Sequence, residues 1–315
     1  MMRRPQVSGR LPCEDGRMTS HPATDSDLRT VARVVAEVHG AADSGAALLT
    51  GLDSQAAPFE TRPFRSGSLR GEWVAAPGSG GDGVLLYLHA RRFQFDEPAG
   101  IYAAKLAAAT GLPVLLLQYR LAPEHSFPAA LEDVLEAYQG LLAQGAPASR
   151  IIIAGHSAGA TLTLSALLAL RDRGRPMPAA AVAISPITDF THSGASLTAN
   201  VGRDLMTLAE VDQVTSAYLG SADPAGAPQS PLAGDCAGLP PLLIACGDAE
   251  MLRDDAVRFA DKAAAAAVPV DLEIFEGMPH GFAILPLDAS QVLLSRIAAF
   301  AAGRLAGVSG EPAGP

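Results

Sequence analysis

The chain has 315 residues, 49% of them hydrophobic and 18% charged, with a formal charge of −10. That length and apolar content are enough to bury one large core, so a single catalytic domain is expected rather than an array of small ones. The acidic balance, with no Lys/Arg run along any helical face, argues against nucleic acid or an anionic membrane surface as the main partner.

In chain order, residues 1–25 are polar and rich in Pro, Gly and Ser, and are expected to remain an irregular tail. No apolar stretch follows Met1-Met2-Arg3-Arg4 before the polar Cys13-Glu14-Asp15, so no signal peptide is expected, and no apolar run is long enough for a bilayer. A cytoplasmic protein is the expectation. Asp25 to Leu49 reads as helix, with Asp25 or Ser26 as N-cap and Val31, Val34, Val35 and Val38 at helical spacing. Strands are then expected at Gly71–Ala75, Val84–Leu88 and Pro113–Leu117, with a helix over Gly100–Thr110. Helix Ala129–Leu142, strand Ile151–Ala154, a small-residue helix over Thr161–Leu170 and strand Ala180–Ile184 follow. Strands Leu242–Ala245 and Leu272–Phe275 and helices Asp255–Ala267 and Ser290–Ala302 complete the series. Short apolar strands alternating with helices predict an α/β fold: a mostly parallel central sheet covered by helices on both faces. Between Asp189 and Pro231 the alternation lapses, leaving one helical piece at Leu208–Leu219. That insertion, together with residues 26–55, is expected to form a helical cap, and residues 307–315 a frayed end. Cys13, Cys236 and Cys246 form no ligand-like cluster and leave an odd thiol, so neither a metal nor a structural disulfide is expected.

The chemistry centres on Gly155-His156-Ser157-Ala158-Gly159, which follows the apolar run from Ile151 and precedes a helix. A G-x-S-x-G turn in that setting needs glycine where strand and helix pass closely, and it lifts the serine hydroxyl off the sheet. A serine hydroxyl needs a base to take its proton and a carboxylate to hold that base. Downstream, Glu250 lies after the strand-like Leu242–Ala245, and His280 lies after Leu272–Phe275. Both positions are just beyond strand C-terminal ends, where sites of open α/β sheets collect. Asp248, Asp254 and Asp255 compete with Glu250 as the acid. The order Ser, acid, His is that of α/β-hydrolases.

Several blocks extend this pattern: Leu86-Tyr87-Leu88-His89, Tyr119 to Ala130, Ser185-Pro186-Ile187-Thr188-Asp189, Glu250 to Asp255, and Met278-Pro279-His280-Gly281-Phe282. With the serine pentapeptide they resemble, in order, the bacterial hormone-sensitive-lipase-like esterases of the α/β-hydrolase fold. The resemblance implies Ser157 as nucleophile, Glu250 as orienting acid, His280 as general base and the Ala158 N–H as an oxyanion donor, with no cofactor. It also implies a small-molecule ester or thioester as substrate, and a homodimer as a possible assembly. The family commonly has Asp at the positions of Gln118 and His156. Its oxyanion loop reads His-Gly-Gly-Gly, where this chain has His89-Ala90-Arg91-Arg92-Phe93. The backbone N–H groups of Ala90 and Arg91 are the remaining oxyanion candidates, and His89 is expected to brace that loop. Arg91 and Arg92 are either solvated or a clamp for a carboxylate or phosphate, and they are counted with His156 as substrate-side residues. Ester hydrolysis through an acyl-enzyme is the first reading. A biosynthetic cyclase, dehydratase or acyl transferase using the same triad is the alternative, and an idle binding protein the last.

Overall fold

The computed structural model describes residues 17–40, 58–90 and 98–306. Its elements in chain order begin β1 (Arg17–His21), α1 (Asp25–Gly40), β2 (Glu60–Ser66), β3 (Leu69–Ala75) and β4 (Val84–Leu88). Next come α2 (Pro98–Thr110), β5 (Val114–Gln118), α3 (Ala129–Ala143), β6 (Ile151–His156), α4 (Ala158–Asp172) and β7 (Ala180–Ile184). The last are α5 (Ser196–Ala199), α6 (Leu208–Leu219), β8 (Leu242–Gly247), α7 (Arg253–Ala265), β9 (Val270–Phe275) and α8 (Asp288–Ala306). The strands among the described residues all join one 9-stranded sheet in the order β1-β9-β8-β7-β6-β4-β5-β3-β2. Pairing is parallel except where β3 meets β2 and β5.

The central strands are apolar on both faces because both faces are covered. Every residue of β6, β7 and β8 is buried. In β6 the pleat sends Ile152 and Ala154 into the layer under α1, α2 and α8, and Ile151 and Ile153 into the layer under α3 and α4. Helix α4 is buried along Ala158–Leu170, which explains its small and aliphatic composition. Leu164, with no exposed surface, is among its anchors; truncation to Ala would cost about 2–5 kcal/mol. Cys236 and Cys246 are buried free thiols in the apolar layer beneath α7.

Two edge strands differ from expectation. Residues 17–21, assigned to the irregular tail, form β1, which runs parallel to β9 with Arg17 opposite Asp271 and His21 opposite Phe275. β2 holds a single buried residue, Phe64, and carries Pro63, which an edge strand tolerates because one side of its backbone needs no partner. Helix α1 starts at Asp25 as expected. It ends at Gly40, and the remainder of the expected helix and cap segment, residues 41–57, lies outside the described residues, as do residues 1–16 and 307–315. Val31 and Val34 join the layer of α2 and α8, while buried Asp27 accepts the N–H groups of Asp288 (2.9 Å) and Ala289 (3.0 Å) at the start of α8. Those donors have no intrahelical acceptor, so Asp27 caps α8 from a distant helix. Helix α6 forms at the expected helical piece, opened by a Thr207/Glu210 capping box. No helix among the described residues is long and apolar enough to cross a membrane.

From β4 the chain moves outward to β5, then crosses back past β4 to β6. The carboxyl ends of β4 and β6 therefore flank a topological switch point, where open α/β sheets bind ligands. Ala90 follows β4 and Ser157 follows β6.

Candidate active site

Ser157 has φ 55° and ψ −119°, a conformation rare for a residue with a Cβ. It is held there from both sides: its N–H donates to the Ile184 carbonyl (2.8 Å), and its carbonyl accepts the N–H groups of Ala160 (2.9 Å) and Thr161 (3.0 Å). The flanking glycines are required by contact. A Cβ on Gly155 would overlap the Gly159 carbonyl, and one on Gly159 would overlap the carbonyl of Leu88 in β4. Strand and helix meet closely enough to exclude any side chain, and the turn between them projects Ser157 outward.

His280, in the loop after β9, brings Nε2 to 2.8 Å from Ser157 Oγ. Its Nδ1 lies 3.3 Å from Oε2 of Glu250, which is fully buried. A neutral imidazole protonated at Nδ1 satisfies both contacts, donating to Glu250 and accepting from the serine hydroxyl. Oε1 of Glu250 accepts the Ser185 hydroxyl (2.7 Å) and the Gly247 N–H (2.6 Å), which fix the carboxylate's orientation. The competing carboxylates serve the backbone instead. Asp248 accepts the Gly277 N–H (2.6 Å), Asp254 that of Ser196 (2.9 Å), and Asp255 those of Thr188 (2.8 Å) and Asp189 (2.9 Å). Ser185, in the block Ser185-Pro186-Ile187-Thr188-Asp189, had no role legible from sequence and sits at a positive φ of 52°.

Ala158 is the first residue of α4, so its N–H has no intrahelical acceptor and belongs to the positive end of the helix. At the end of β4, His89 is buried and stacks on Tyr119 with ring centroids 4.3 Å apart. Its Nδ1 contacts the Ala90 carbonyl (2.8 Å), and the Tyr119 hydroxyl donates to the His89 carbonyl (2.8 Å). Burial lowers the His89 pKa to about 4 despite the bond to Ala90, so this ring is a neutral brace at the root of the loop. Arg91 and Arg92 lie outside the described residues. His156, expected on the substrate side, is instead buried against His280, with ring centroids 6.0 Å apart, and has Tyr102 at 6.2 Å on another side. Its pleat position explains this: residue 156 shares the face of Ile152 and Ala154 and points into the layer below, not toward open space. Burial, reinforced by His280, lowers its pKa to about 3.

The pattern that describes the α/β-hydrolase fold matches residues 86–284. An acetyl-hydrolase of Streptomyces hygroscopicus is 43% identical over 217 residues, which span 68% of this chain and 72% of that protein. An esterase of Acinetobacter venetianus is 35% identical over 228 residues, 71% of this chain and 75% of its own. Among solved structures, an esterase from the bacterial hormone-sensitive lipase family superposes with a TM-score of 0.82 at 36% identity, covering 90% of this chain and 99% of that one. The chain belongs to the α/β-hydrolase fold family, within its hormone-sensitive-lipase-like esterases. It is an ester hydrolase of the carboxylesterase type, and the biosynthetic and idle-binding readings are not favoured.

Proposed function

We propose that the chain cleaves esters of small carboxylic acids, thioesters included, through an acyl-enzyme at Ser157. The observation that carries this reading is the continuous line from Ser157 Oγ to His280 Nε2 (2.8 Å) and from His280 Nδ1 to Glu250 Oε2 (3.3 Å). Ser157 Oγ attacks the carbonyl carbon while its proton passes to His280 Nε2, and Glu250 stabilises the imidazolium. The developing oxyanion takes the Ala158 N–H, with the N–H groups of Ala90 and Arg91 as further donors. The bond to the leaving oxygen or sulfur then breaks, and the leaving group collects the proton from His280. Water repeats the sequence in reverse: it gives a proton to His280, attacks the acyl carbon, and Ser157 recovers its hydrogen.

The small acyl group is supported by the relative named for acetyl hydrolysis. In this reading segment 189–231 and the N-terminal helix form the cap that shapes substrate choice, and Arg91 and Arg92 clamp an anionic group on the substrate. Hydrolysis of p-nitrophenyl acetate, butyrate and octanoate tests the acyl preference; octanoate as the best substrate would refute it. Replacing Arg91 and Arg92 together by Gly tests the clamp, which fails if anionic and neutral esters change in parallel.

A further inference from the structure

The stretch between α5 and α6 carries little pattern in sequence, yet it buries two polar side chains beneath the site, Asn200 (5% exposed) and Asp204 (0%). Oδ2 of Asp204 accepts the N–H of Met251, the neighbour of Glu250, at 2.6 Å. Oδ1 accepts the N–H of His280 itself at 2.7 Å, and that of Leu205 at 2.7 Å. One carboxylate therefore ties the loop bearing the acid to the loop bearing the base, from positions 47 and 76 residues away in sequence. Asn200 adds to the first anchor: its Nδ2 donates to the carbonyls of Asp248 (3.0 Å) and Glu250 (2.7 Å), while Arg203 donates to its Oδ1 (2.8 Å). The main-chain carbonyl of Asp204 contacts His39 Nε2 at the end of α1 (2.8 Å), so the N-terminal helix and the insertion meet at this residue.

A buried carboxylate is costly unless hydrogen bonds to its charged form offset the lost hydration. Burial, with the charge of Glu250 beside it, raises the Asp204 pKa, whereas the charge of His280 and the N–H groups of Met251 and His280 oppose that rise. An uncharged side chain could cap one loop; spanning two N–H groups with one acceptor pair is what a carboxylate does well. We propose that Asp204 is a positioning residue for the reaction: it sets the separation of Glu250 and His280 and places a second negative charge beside the imidazolium formed in each half-cycle. This rests on the reading of Ser157, His280 and Glu250 as the reacting triad. The groups near His280 among the described residues include Glu250 after β8, Asp204 in the insertion, His156 in β6, and Asp248, which holds the His280 loop through the Gly277 N–H. His39 reaches the same network from α1.

The test is Asp204→Asn in the full chain, with circular dichroism to establish folding and steady-state kinetics on p-nitrophenyl acetate over pH 5–9. The amide oxygen can hold one loop, but its NH₂ then faces the other N–H. We expect kcat to fall about 10–100-fold with KM within about threefold, because misplacement of reacting groups acts on the chemical step. The acid limb of kcat/KM should move to lower pH by roughly half a unit or more, since removing a negative charge makes the imidazolium easier to deprotonate. A kcat within twofold of wild type, or a lowered melting temperature with the acid limb unmoved, would overturn the proposal. Should D204N not fold, Asn200→Ala provides the second reading. It should lose about tenfold in kcat, since it frees the acid loop, and an N200A enzyme with wild-type kcat would overturn the proposal. Ser157→Ala, run alongside, separates this proposal from the reading beneath it: turnover that survives S157A refutes the triad, whatever D204N does.

Discussion

Ser157 Oγ and His280 Nε2 are 2.8 Å apart although 123 positions separate them in the chain. The sheet accounts for the meeting. β6 and β9 run parallel, and both end at the same edge of the sheet, so the residues that follow them converge. The acid arrives by the same route from β8. The parallel strands thus bring Ser157, Glu250 and His280 together, and the loops supply the final ångströms.

The Ser185 hydroxyl is one of two described donors to Oε1 of Glu250, the other being the Gly247 N–H. Ser185→Ala leaves a buried charged oxygen with one hydrogen bond fewer, a loss of about 1.5–3 kcal/mol where the partner is ionised. We expect kcat to drop about tenfold or more with KM little changed, as steady-state kinetics would measure.

Gly159→Ala places a methyl against the Leu88 carbonyl, a backbone atom that cannot rotate away. The chain must separate α4 from β4, and urea unfolding should show a loss of about 3 kcal/mol. A midpoint equal to that of wild type would mean that the elbow is looser than its contacts indicate.

His156 takes up a proton near 6.5 in the unfolded chain but only near pH 3 when folded. Between those values the unfolded chain holds the extra proton, so stability falls as pH drops below about 6.5. His89, lowered to about 4, acts in the same direction. Asp255, raised by burial to about 6, acts in the opposite one, because its folded form retains a proton that the unfolded chain releases. His156→Phe preserves the ring stack and removes two buried ring nitrogens that have no hydrogen-bond partner among the described residues. Denaturant unfolding should therefore show a shallower acid decline than wild type, with stability at pH 7 unchanged or about 1 kcal/mol higher. His156→Asp instead adds a negative charge beside His280, and the acid limb of kcat/KM should move to higher pH.

What was legible in the sequence follows burial. β4 and β7 match their expected bounds because strands covered on both faces read as unbroken apolar runs. β1 and β2 left no such trace: they lie at the sheet edges, where Arg17, Ser20, Arg62 and Pro63 face solvent as well as chain. The candidates Ser157, Glu250 and His280 were legible because each follows an apolar strand. Asp204 was not, since one Asp in a polar stretch resembles a solvated surface residue until the fold buries it. His156 sits next to Ser157 in the pentapeptide, but the pleat of β6 turns its buried ring toward Tyr102 and His280.

The most direct test of the whole account is kcat/KM for p-nitrophenyl acetate with the wild-type chain beside Ser157→Ala. The account predicts turnover by wild type and a loss of at least about 10³-fold in S157A, the residual reflecting binding and the oxyanion donors alone. Equal rates for the two proteins would contradict it, because ester cleavage would then proceed without the serine that the elbow, His280 and Glu250 are arranged around.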